Sequence, residues 1–93
     1  AIKIADTAAV HHIPCMLGGM VESRLALTAK VHLAMAHENI RFYDLDTCLL
    51  GHLVDPVIDG ARYNNYFLEL DELPGIGADI SPAFLSGAEK TII

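Results

Sequence analysis

Apolar positions change their period twice within the first 46 residues. Ile2, Ala5, Ala9 and His12 recur at helical spacing, which predicts the latter part of an amphipathic helix over residues 1–12. Pro14 breaks that period. The run "CMLGG" (15–19) is short, apolar and closed by two glycines, the pattern of a buried strand followed by a tight turn. In "ESRLALTAKVHLAMAHEN" the helical period returns, with Ser23 as N-cap, Ala26, Ala29, Leu33 and Ala36 as an apolar stripe, and Asn39 at the exit. "IRFYDLD" (40–46) then reads as a second strand. Strand, long helix, strand is a βαβ unit, which requires a parallel sheet with helices covering it. Residues 1–46 therefore read α-β-α-β, a section of a repeating α/β pattern.

Beyond Asp46 the pattern loses its helical period and becomes rich in Gly, Pro, Asp and Asn. "YFLEL" (66–70) is a candidate short strand, "PGIG" a turn cluster, and "HLVDPVIDG" a turn, because its Asp55 and Asp59 lack the alternating ligands and terminal Glu of an EF-hand loop. The final "SPAFLSGAEKTII" is expected to be an extended or short helical tail.

Composition adds a second constraint. The chain has 93 residues, room for one small domain or part of a larger one, yet it is 53% hydrophobic with a mean hydropathy of +0.38, high for a chain that must expose much of its surface. That surplus calls for partners: copies of itself in a homo-oligomer, or further chain against which its apolar faces pack. The net charge of −6, with Lys and Arg scattered, argues against nucleic acid as a partner. No apolar run approaches the roughly 20 residues that span a bilayer, and "AIKIADTAAVHH" lacks the regions of a signal peptide. Cys15 and Cys48 have no metal-finger spacing and read as reduced, buried thiols, an expectation of a cytoplasmic protein.

The candidate chemistry gathers where the two strands end, since ligands of parallel α/β sheets bind beyond the carboxyl ends of the strands. The first strand ends in "GGMVES". Gly18 and Gly19 permit close approach of backbone to ligand, Met20 offers an adaptable apolar wall, and Glu22 either serves a ligand or partners the helix dipole. The second ends in "DLDT". On a strand, Asp44 and Asp46 would face the same side roughly 6.5–7 Å apart and repel by about 2–3 kcal/mol at an effective dielectric of about 20. Water, a cation or an ammonium group would offset that cost. A solvated strand end, with one aspartate capping a following turn, is the plainer alternative. His11 and His12 point to different faces of a helix, and His32 and His37 lie about 140° apart on one, so no histidine pair reads as a metal site. No GxSxG, P-loop or GxGxxG is present.

Taken in order, "IADTAAVHHIPCMLGGMVESRLALTAKVHLAMAHENIRFYDLDT" followed by "LPGIGADI" resembles the C-terminal third of the enolase superfamily, and within it the dipeptide epimerases of the muconate-lactonizing subgroup. The resemblance implies an α/β fold that is the C-terminal section of a (β/α)8-type barrel. Residues 1–47 would hold the end of the sixth helix, the seventh strand (15–18), the seventh helix (23–38) and the eighth strand (40–44). Residues 48–93 would pack on the barrel and return toward a capping domain.

It further implies a Mg²⁺-dependent 1,1-proton transfer α to a carboxylate, of the L-Ala-D/L-Glu type, with lysines as acid and base. Those lysines and the acidic Mg²⁺ ligands belong to other strands of the family's barrel. No catalytic or metal-binding residue is therefore expected here, with Lys3 assigned to the sixth helix, Lys30 to the seventh and Lys90 to the tail. The 93 residues are expected to be a piece of a longer enzyme, partnered by the rest of it. The substrate-binding residues implied are Asp44 and Asp46, an Asp-x-Asp clamp for the α-ammonium of a dipeptide, with Gly19 and Met20 lining the pocket and Glu22 as polar support. The family often carries Cys or Ser at the Gly19 position, so glycine would leave more room there. A cycloisomerase or o-succinylbenzoate synthase is the alternative within the superfamily, disfavoured by two carboxylates where an anionic substrate without an amine would sit. A noncatalytic α/β binding module is the alternative from another class.

Overall fold

A computed structural model describes residues 1–92; Ile93, the end of the expected tail, lies outside the described residues. The first helix, α1, spans Ile2–Val10 and stops short of the residue 12 that its apolar spacing predicts. The residue before Pro14 is driven out of the helical region, and the chain exits through a Schellman turn. His12 takes φ 58 while its N–H bonds Ala9 O at 3.0 Å and the Ile13 N–H bonds Ala8 O at 2.9 Å. His11 and His12 thus lie past the helix instead of on two of its faces.

Strand β1 (Cys15–Leu17) pairs in parallel with β2 (Ile40–Tyr43), with an irregularity between Cys15 and Met16. Helix α2 (Arg24–Ala36) connects them, so the expected βαβ unit is present. Its exit is His37, not Asn39. Asn39 instead ties α1 to the sheet, its side-chain amide donating to Ile13 O at 2.9 Å and to Ala5 O at 3.3 Å. Ser23 stands at the N-cap with extended backbone but makes no side-chain capping bond.

The buried face of α2 is not the alanine stripe. Ala26, Ala29 and Ala36 are exposed and Leu33 half-buried; the face that packs is Leu27, Thr28 and Val31. Thr28 makes this face illegible as an apolar stripe, yet it is 0% exposed. Its hydroxyl donates to Arg24 O at 2.7 Å and accepts the Ala61 N–H at 2.9 Å, which offsets the cost of burying it.

The second half holds more regular structure than its composition predicts. A short helix α3 (Thr47–Leu50) is followed by β3 (Val57–Asp59), the hairpin of β4 (Arg62–Asn64) and β5 (Phe67–Glu69), β6 (Ala78–Ile80) and α4 (Pro82–Ser86). "HLVDPVIDG" is therefore not a turn throughout, because Val57–Asp59 pairs antiparallel with Ala78–Ile80. Three-residue strands are too short for alternation to register. "YFLEL" does form a strand, and the tail is helical from Pro82 to Ser86. Among the described residues no helix is long and apolar enough to cross a membrane.

One core joins the halves. Leu27 and Val31 of α2 pack with Leu45 and Ala61, flanked by Leu17, Cys48, Tyr63 and Leu68. The helix of the βαβ unit thereby anchors the C-terminal segment directly beside the strand ends.

Candidate functional site at the strand ends

Strand β2 ends at Tyr43, so Asp44 and Asp46 lie beyond the ladder and not on it. Leu45 is buried at 8% exposure while the aspartates on either side of it are exposed. Asp46 has helical backbone (φ −101, ψ −9) and is the N-cap of α3, without a side-chain capping bond. The strand ladder stops at Tyr43 because the chain must turn into that helix.

The two strand-end loops are brought together. The Asp44 N–H donates to Leu17 O at 2.9 Å. A Cβ on Gly19 would stand 2.8 Å from Asp44 O and 3.2 Å from the Thr47 side chain. Glycine therefore leaves no spare room here, contrary to the expectation; its missing side chain is the space that the Asp44 loop fills. Met20 is 78% exposed beside it.

Glu22 is engaged from within the chain. Its carboxylate pairs with Lys30 and accepts the Met20 N–H, while the Lys30 ammonium also donates to Gly18 O at 2.8 Å. Lys30, on α2, thus closes the loop over residues 18–22 from below. The Glu22 carbonyl accepts the Cys48 thiol at 3.4 Å and lies 2.9 Å from His52 Nε2, which ties the first loop to α3 and to the residues just past its end. Burial pushes the Cys48 thiol up from its usual value, only partly offset by the Tyr63 hydroxyl beside it.

Two side chains that the sequence pattern does not single out organise the surroundings. Arg24, at the start of α2, donates to Asp55 at 2.5 Å, to Val57 O at 2.6 Å and to Ala61 O at 3.1 Å, and also reaches Asp59 O. One guanidinium fork thereby shapes the whole 55–61 loop. Burial alone would raise the Asp55 carboxyl, but its bonds to Arg24 and to the Val57 N–H outweigh this and hold it below the ordinary carboxylate value. Tyr63, on β4, donates its hydroxyl to Leu45 O at 2.6 Å. An arginine in a first helical turn and a tyrosine in a three-residue strand carry no local signal of these contacts. A cavity of about 550 Å³ opens between Arg24, Cys48, His52, Asp55 and Tyr63.

The remaining candidates do not converge. His32 Nε2 meets Ile76 O at 3.0 Å, and His37 Nε2 meets Asp6 at 3.0 Å while its Nδ1 accepts the Asn39 N–H. Neither Cys15 nor Cys48 is in a disulfide. Among the described residues no three His, Cys, Asp or Glu side chains come together to hold a metal ion.

Known proteins share this fold. The chain is 39% identical over its full length to the D-Ala-D/L-Ala epimerase of Cytophaga hutchinsonii, covering 25% of that protein. It is 42% identical, over 85% of its length, to the L-Ala-D/L-Glu epimerase of Clostridium acetobutylicum, covering 22% of that protein. A crystal structure of a dipeptide epimerase from Cytophaga hutchinsonii, complexed with Mg and the dipeptide D-Ala-L-Val, superposes with a TM-score of 0.87 at 38% identity, over 95% of this chain and 24% of that one. The chain thus spans about a quarter of the length of the relatives it matches. The family described as enolase C-terminal domain-like matches residues 1–84, and the chain belongs to that family.

Proposed function

We propose that this chain is the part of a dipeptide epimerase that receives the α-ammonium group of the substrate. The observation that carries the reading is the pair of exposed carboxylates, Asp44 and Asp46, on either side of a buried Leu45. They stand beyond β2, where the Asp44 carbonyl lies against Gly19. An ammonium group between them would relieve their mutual repulsion by donating a charge-assisted hydrogen bond to each. The relatives named as epimerases acting on alanyl dipeptides support this choice of ligand.

In this reading β1, α2 and β2 are the seventh strand, seventh helix and eighth strand of a (β/α)8 barrel, and residues 48–93 pack on the barrel and run toward a capping domain. Met20 and Gly19 line the end of the pocket where the amino-terminal side chain sits. Glu22, paired with Lys30, keeps that loop in place. Proton transfer α to the carboxylate belongs to other parts of the intact enzyme, as does Mg²⁺, the ion present in the related dipeptide complex.

The test is Asp46→Asn in the intact enzyme. Removing one charge-assisted bond, about 1.5–3 kcal/mol, raises KM for a dipeptide by about tenfold or more and leaves Mg²⁺ affinity unchanged. Unaltered dipeptide kinetics would discard the assignment.

A further inference from the structure

The backbone around Leu45 is held at three successive residues. Asp44 donates its N–H to Leu17 O, and Asp46 O accepts the Leu49 N–H, both at 2.9 Å. Between them Leu45 O accepts the Tyr63 hydroxyl at 2.6 Å. The first two bonds form within the βαβ unit and its immediate continuation. The third comes from β4, 18 residues further along the chain. Leu45 is therefore fixed through its buried side chain and through its carbonyl, and the directions of its two neighbours depend on both.

We propose that Tyr63 is a positioning residue for the ammonium clamp: by holding the Leu45 carbonyl from the β4–β5 hairpin, it sets the separation of Asp44 and Asp46. This rests on the reading of those aspartates given above. A clamp of two carboxylates binds an ammonium well only when both reach it together, because charge-assisted hydrogen bonds fall off steeply with distance and angle. Loss of the tyrosine hydroxyl would free the carbonyl to rotate toward solvent and let the peptide planes on either side turn with it. The hydroxyl is a dependable donor, since burial, then the Cys48 thiol and the Asp46 charge nearby, push its pKa up to about 12. Recognition of the amine then depends on the Tyr63 hydroxyl as well as on the loop that carries the aspartates.

The experiment compares Tyr63→Phe, Asp46→Asn and Asn64→Ala in the intact enzyme, with a dipeptide as substrate and its N-acetylated form as competitive inhibitor. Asn64 lies in the same hairpin and bonds Glu69 at 2.8 Å, so its variant reports the cost of loosening the hairpin alone. Tyr63→Phe is expected to raise KM for the dipeptide about three- to tenfold with kcat within about twofold. The inhibition constant of the acetylated form, which carries no ammonium, should stay unchanged, and Asn64→Ala should leave both unchanged. Equal weakening of both ligands, or no effect of Tyr63→Phe while Asp46→Asn raises KM, overturns the proposal and leaves the clamp standing. No effect of Asp46→Asn overturns the clamp itself. Should Tyr63→Phe fail to accumulate, a ring-fluorinated tyrosine at position 63 keeps the donor at neutral pH and loses it at a lower pH than tyrosine does. A KM that rises with pH beyond the unsubstituted profile then supports the proposal, and coincident profiles overturn it.

Discussion

At the scale of single residues, two glycines show how differently the same residue type is used. Gly60 has φ +79, and a Cβ there would stand 2.6 Å from Thr28 Oγ1 and 2.8 Å from the Ala78 Cβ. Gly75 has a similar φ of +66 but nothing within 4 Å of its Cβ position. Gly75→Ala should therefore cost only the left-handed backbone, about 1 kcal/mol. Gly60→Ala adds a collision with the hydroxyl that satisfies the Ala61 N–H and should cost about 2–3 kcal/mol or more. Urea unfolding of the intact protein measures the difference, and equal midpoints for the two variants would refute the packing assigned to Gly60. Neither distance is written in the sequence around these glycines. "PGIG" announces a turn by composition, whereas the need for Gly60 arises from Thr28, which is far away along the chain and is hidden by its polar type.

Among elements, the βαβ unit is legible in the sequence and its surroundings are not, for one reason. The strand-helix-strand order shows itself through periodicity, a local property, and α2 and β2 follow in that order, although α2 ends at Ala36 and β2 at Tyr43. Which face of α2 is buried depends on what packs against it, and that is the C-terminal segment, through Thr28, Leu27 and Val31. Arg24 makes the same point for the 55–61 loop. Its Nε–Asp55 bond of 2.5 Å and its three carbonyl contacts need a planar fork, so Arg24→Lys, which keeps the charge, should still release the loop. Faster hydrogen exchange at Val57 and Ala61, with little change in β1 and β2, is the expected result; unchanged exchange at both would show that the charge alone suffices. Acid should do the same thing. Because the Asp55 carboxyl is held below its ordinary value, its contribution to stability is complete above the unfolded pKa of about 4 and is lost as pH falls through the lower folded value. Protection of the loop should therefore decline below about pH 4 in the parent and be absent from Asp55→Asn over that range.

The whole molecule carries more surface than a self-sufficient domain of its size. A folded monomer of 10.1 kDa exposes roughly 5,300 Å² by the usual scaling of area with mass, but this chain exposes 7102 Å². Its radius of gyration is 15.0 Å against about 12 Å for a compact chain of this length. The excess is apolar where a parallel sheet should be covered on both faces: Met16 is 61% exposed, Phe42 54% and Tyr43 56%. Ile4 and Val10 of α1, at 71% and 76%, add to it. Both outer edges of the two-stranded parallel sheet are unpaired among the described residues, which templates association with other chains. Produced alone, the 93 residues should accordingly associate in a concentration-dependent way and bind a dye such as ANS. Co-expression with the other parts of the proposed barrel should remove both properties. A monodisperse, cooperatively folded chain in isolation would instead favour the independent binding module, because such a module has to satisfy its own edges and cover Phe42 and Met16 without help. Sedimentation at two protein concentrations separates these outcomes without any assay of catalysis, so the architectural part of the reading stands or falls apart from the identity of the dipeptide.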